Sequence, residues 1–167
     1  MWNPLRRSLA FGLICAMIGG IFGLLLYREG GDPYRFFFLA SGTAGFLCGA
    51  LLWRVLPERY PLRQPHWRMI WGGLAGGLTG ITAHYLAWLL DLWAARLSFV
   101  LAGGGSTTLG SQPMTFLETF WGAAGLTVYS LVLIGWLSLM LCSAAGGVWA
   151  AVFFRAGRGA GQTAAHP

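Results

Sequence analysis

Residues 69–102, MIWGGLAGGLTGITAHYLAWLLDLWAARLSFVLA, decide the fold. The stretch is apolar throughout most of its length and ends at a run of glycines. A helix needs about 20 apolar residues to cross the hydrocarbon of a bilayer, so this one has length to spare. At about 100° per residue, Gly73, Gly77, Gly80, His84, Ala87 and Asp91 share one stripe. Glycine carries no side chain to hold a second helix away. The pattern therefore places His84 on a packing face and not toward lipid. If residue 69 lies at the surface, His84 is about 22 Å along the helix axis and Asp91 about 33 Å. His84 is then buried in the membrane and Asp91 emerges at its far side.

Working back toward the N-terminus, the head MWNPLRR is basic and is followed by an apolar run over 9–27. A secretory or twin-arginine leader requires an A-x-A-like cleavage site, but this run ends LLLYREGG. A lipoprotein reading fails because Ile14 precedes Cys15. The run is therefore expected to be a retained membrane helix, with Gly12, Ala16, Gly19 and Gly23 as its packing face. The link REGGDPYR (28–35) is turn chemistry. A second span covers 36–56, carrying Ser41, Gly45 and Gly49 at four-residue spacing. Prolines 57, 61 and 65 interrupt the basic link that follows.

Toward the C-terminus, the third span covers 69–95 and GGGSTTLGSQPM (103–114) is a flexible loop. No lysine is present, so this loop is not a P-loop. The fourth span is expected over 122–154, with Ser138, Cys142 and Gly146 as its small-residue stripe. Both helices beside the loop are longer than a bilayer requires. They are expected to project together on the non-cytoplasmic side, where Asp91, Arg96 and Glu118 would meet in an ionic cluster. The segment 1–158 is then one four-helix domain, and 159–167 a disordered cytoplasmic tail.

Composition agrees. Charged residues make up 10% of the 167, against about 25% in a soluble domain, so the bilayer has to be the solvent for most of the chain. The formal charge is +6, but the basic residues sit at the ends of apolar segments, which excludes a nucleic-acid surface. All eleven are arginine, a bias that suggests GC-rich codons and a bacterial source. Eight of them (Arg6, Arg7, Arg54, Arg59, Arg63, Arg68, Arg155, Arg158) fall in the head, the central link and the tail, against Arg28, Arg35 and Arg96 elsewhere. The positive-inside rule then places both termini in the cytoplasm of a cell inner membrane.

The chemistry legible here is sparse. Cys15, Cys48 and Cys142 each lie in an apolar segment with no metal or redox spacing, so no disulfide and no metal site is expected. No HExxH or GxSxG motif and no paired carboxylates within a span occur, so the chain is not read as an enzyme. His84 has three readings: a core histidine bonded to a neighbouring helix, a proton or ion path together with Asp91, or an axial ligand to a haem or chlorophyll-type pigment. The first is favoured, and no cofactor is expected. Twenty-six glycines exceed what four helices need among themselves, which suggests oligomerisation or docking to other membrane subunits. The expected role is that of a non-catalytic structural or accessory subunit packing through a glycine zipper. The alternative is a small oligomeric ion, proton or solute channel or transporter using His84 and Asp91.

Overall fold

The structure, a computed structural model, describes residues 3–31, 34–58, 64–104 and 113–162, with only the backbone considered at 65 and 154–162. It is all-α, 88% helix, with no strand among the described residues. Helix α1 spans Pro4–Gly30, α2 Phe37–Val55 and α3 Pro65–Leu101. Helix α4 (Glu118–Ser130) continues through a π-helical turn (Leu131–Gly135) into α5 (Trp136–Gln162). These last three elements form one long rod, so there are four helices overall.

Local sequence explains most of the ends. Asn3 caps α1 by accepting from Leu5 N at 3.2 Å, with Pro4 in the first turn, where its missing N–H costs nothing. Gly31 ends the helix at φ 73°, a conformation that only glycine adopts readily. Of the link read as a turn over 28–35, Arg28, Glu29 and Gly30 instead belong to α1, and only Gly31 and residues 34–35 are non-α among those described; Asp32 and Pro33 lie outside the described residues. Helix α3 has 37 residues and is about 55 Å long at 1.5 Å per residue. Gly122 and Gly125 do not break α4, so the rod and α3 both outrun the ~30 Å of bilayer hydrocarbon. Helix α5 runs past Arg158 to Gln162, beyond the expected domain end. The rest of the expected tail, 163–167, lies outside the described residues, as does most of the loop at 105–112.

The helices form two hairpins, α1–α2 and α3–α4/α5, joined along α2 and α3. Glycine sets the spacing within each. A Cβ built on Gly12 would lie 2.8 Å from the Phe46 carbonyl oxygen, and one on Gly49 would lie 3.0 Å from Cys15 Sγ. Side chains at Gly19, Gly23 and Gly45 would run into the backbone of the opposite helix. Ser41 adds a hydrogen bond, donating to the Gly19 carbonyl at 2.8 Å. In the second hairpin Gly72 meets Gly146, Gly76 meets Cys142, and Gly80 meets Leu139. The tight ridge is therefore Gly72–Gly76–Gly80; of the expected Gly73, Gly77 and Gly80, Gly80 lies on it and a Cβ on Gly77 would face the Ser143 hydroxyl at 2.8 Å, while Gly73 lies off it. A Cβ on Gly73 would meet only Ser143 O at 3.6 Å, an ordinary contact.

Outside, the exposed apolar side chains are compatible with a membrane protein. Leu13, Met17 and Ile21 on α1, Leu51 on α2, and Val132 and Met140 on the α4–α5 rod are exposed. Contiguous apolar surface on this scale is not tolerated in water. Three helices are long and apolar enough to cross a membrane: Pro4–Gly30, Phe37–Val55 and Glu118–Phe153. The fourth, α3, is not among them, although it supplied the stretch that decided the fold. The glycines of its ridge together with Thr79, Thr82, His84 and Tyr85 dilute its leucines.

Candidate functional site

The polar centre of the fold is built on the ridge that begins Gly72–Gly76–Gly80. Four-residue spacing carries the same face of α3 onward to His84 and Trp88. The opposing rod runs antiparallel, so Gly146, Cys142, Ser138 and Ser130 meet that ridge in turn. At one end glycine faces glycine. At the other, an imidazole and an indole stand between the helices. The ridge therefore acts as a wedge that widens from Gly72 to Trp88.

His84 bridges two serines across this gap. Its Nε2 is 2.7 Å from Ser138 Oγ and its Nδ1 is 3.4 Å from Ser130 Oγ. Trp88 Nε1 donates to Ser130 Oγ at 3.2 Å. Each serine also has a carbonyl of its own helix within reach, Gly135 at 2.8 Å from Ser138 Oγ and Thr127 at 3.1 Å from Ser130 Oγ; a neutral imidazole donates from one nitrogen only, so the serine facing its other nitrogen turns its single hydrogen to the ring instead. The π-helical turn lies between these serines, where wider winding changes the face that the rod presents. Gly135 closes that turn, and a Cβ there would stand 3.1 Å from His84 Nε2. The missing side chain makes room for the ring. His84 thus lies within hydrogen-bonding distance of serine hydroxyls on the neighbouring rod. Ligation of a pigment through Nε2 would require His84 to leave Ser138.

The wedge opens a crevice of about 280 Å³ between α1 and α4, floored by α2 and α3. His84, Trp88 and Ser130 line one wall and Phe22, Leu26 and Glu29 the other. Cys15 and Cys142 line it as well. Beyond these, Phe11, Trp53 and Ala150 fill the space between the hairpins, with the Phe11 and Trp53 ring centroids 4.5 Å apart. Asp91 is not among the residues that line the crevice.

The expected ionic cluster of Asp91, Arg96 and Glu118 does not form: no ion pair joins them among the described residues. Arg96 donates instead to the Pro113 carbonyl at 3.1 Å. Glu118 Oε2 accepts from Thr115 N at 2.8 Å, while Glu118 N donates to Thr115 Oγ1 at 3.3 Å. This is a capping box, in which the carboxylate satisfies a backbone donor at the start of α4. Trp93 Nε1 donates to Thr119 Oγ1 at 2.8 Å, so the outer ends of α3 and α4 are held largely by neutral hydrogen bonds. An ion pair that the sequence did not suggest lies at the other end, where Arg7 meets Glu58 at 3.1 Å. It ties the first turn of α1 to the turn after α2.

Sequence reasoning missed Ser130, Thr119, Thr115 and the crevice itself. The Thr-x-x-Glu spacing at 115–118 was the available signal for the cap. Nothing local marks Ser130 apart from any other serine in a span. No group of three or more His, Cys, Asp or Glu that could hold a metal occurs among the described residues. No family model matches the chain, and neither a curated protein nor a solved structure does.

Proposed function

We propose that this chain is a small, non-catalytic integral membrane protein that crosses the bilayer four times with both termini in the cytoplasm. Its role is that of a structural or accessory subunit, packed against other subunits or copies of itself in a bacterial inner membrane. The orientation rests on the arginine distribution. The crossing by α3 rests on where its polar side chains bond: His84, Trp88 and Trp93 to the α4–α5 rod, and Thr79 and Thr82 to carbonyls of α3 itself.

The observation that carries the association is what remains bare after the hairpins have closed. Most ridge glycines are already used inside the chain. Gly20 on α1 and Gly125 on α4 have open space where a side chain would project. Helix α4 packs mainly on α3, leaving Trp121 and Val128 exposed, as is Val132 in the π-helical turn that follows. Lipid provides no hydrophobic drive between helices, so association depends on close approach at small residues. Gly125 on an uncovered helix supplies such a place.

The test is gentle extraction from the native membrane followed by native mass spectrometry and an absorption spectrum of the same fraction. Co-migration with other chains or copies is expected, without a pigment band. A lone monomer would contradict the subunit reading. The channel or transporter reading with His84 and Asp91 has less support, because Asp91 is not among the crevice's lining residues and Cys15 and Cys142, which are, belong to a packed cluster with Phe11, Trp53 and Ala150.

A further inference from the structure

We propose that the crevice between α1 and α4 binds an amphiphilic cation: one hydrocarbon chain bearing an ammonium-type head, with the head at Glu29 and Tyr34 and the chain running inward past His84.

Shape comes first. Along α1 the lining extends from Glu29 to Cys15, about 21 Å at 1.5 Å per residue. This length, at about 280 Å³, describes a slot and not a round pocket. It falls just below the ~300–1,000 Å³ typical of small-molecule sites. The walls are mainly apolar, and the deeper hydroxyls are already committed. Ser41 donates to the Gly19 carbonyl and Thr79 to the Ala75 carbonyl, each at 2.8 Å. What the slot offers along its length is surface for a chain.

The mouth supplies the charge preference. Glu29 is the only charged residue in the lining among the described residues. Its sequence neighbour Arg28 does not line the slot, and the Arg35 guanidinium lies 5.2 Å from the centre of its own neighbour's ring, Phe36. Tyr34, Phe37 and Trp88 line the same end and pack together, with Phe37 and Trp88 centroids 4.6 Å apart and Tyr34 edge-on to both at 6.3 Å. A carboxylate beside clustered aromatic rings attracts a weakly hydrated cation and repels an anion. Slot and mouth together select a cationic head on a single chain over a neutral or anionic one.

The experiment is a titration of the full chain, in nanodiscs of an uncharged galactolipid, with radiolabelled decyltrimethylammonium, using empty nanodiscs as the blank. Saturable binding of about one equivalent per chain is expected for a single slot. Glu29→Gln, a change at an exposed position, should weaken it about tenfold, the scale of one partly desolvated charge contact. Decanol and decyl sulfate, with the same chain, should compete poorly. Equal binding by Glu29→Gln, or equal competition by decanol, would overturn the proposal and leave a slot for any apolar chain. Absence of saturable binding above the blank would overturn it outright. None of these failures bears on the subunit reading, which is tested by co-migration.

Discussion

The Nε2 of His84 stands 2.7 Å from the hydroxyl oxygen of Ser138, so the one histidine inside an apolar segment is bonded across α3 to α5. An unpaired imidazole in hydrocarbon would be costly. Paired with Ser138 and Ser130, it becomes a spacer that holds two helices apart at a fixed width. It also lines the crevice.

His84→Leu should still insert and fold, because Ser138 can then donate to the Gly135 carbonyl and Ser130 to that of Thr127. The loss should be about 1–2 kcal/mol, the range for hydrogen bonds between membrane helices. Unfolding by SDS titration in mixed micelles measures it. Complete failure to fold would mean that His84 does more than space the hairpin.

Gly76→Val should be far more damaging than Gly73→Ala. A Cβ at Gly76 falls on the Cys142 carbonyl, which is backbone and cannot turn aside, whereas at Gly73 the nearest atom, Ser143 O, is 3.6 Å away. Overpacking of this kind costs about 1–3 kcal/mol or more. The same SDS titration should rank the two variants, and the reverse order would place the ridge on the other face of α3.

Gly125→Leu should leave the stability of the isolated chain unchanged and reduce its association with partners. Nothing lies within 4 Å of the position a Cβ would take. Crosslinking in native membranes, with and without the substitution, gives the readout. Gly77→Leu is not an equivalent probe, because a Cβ there would already meet Ser143 Oγ of the same chain at 2.8 Å.

Thr115→Ala should fray the start of α4 and cost about 1 kcal/mol, the usual loss at an N-cap. Amide exchange over 116–120 should speed up, while α5 stays protected. A double-mutant cycle on Arg96 and Glu118 should return a coupling of less than about 1 kcal/mol, since the two are not ion-paired. A larger coupling would restore the ionic cluster.

The hairpins and their small-residue faces could be read from the chain because helical spacing is a local property. Gly12, Gly19, Gly23, Gly45 and Gly49 all pack as their spacing implied. The register of α3 was ambiguous for a definite reason. Paired glycines at 72–73 and 76–77 offer two adjacent faces with the same four-residue pattern, and only the partner helix chooses between them. The expected ionic cluster failed because charge alone was counted, while a backbone carbonyl and a capping box were nearer partners for Arg96 and Glu118. The crevice depends on the splay between α3 and the rod, which no single segment encodes.

The measurement that bears most directly on the account is topology mapping of α3, the helix with the weakest apolar composition. Paired reporters, one active only in the cytoplasm and one only outside it, would be fused at the N-terminus, within the 57–64 link and after residue 162. With four spans, all three positions report cytoplasmic, because α3 crosses with its polar face against α4 and α5. If α3 does not cross, three spans remain and the C-terminal reporter appears on the side opposite the N-terminus. That result would contradict both the four-span fold and the membrane placement of the His84 site.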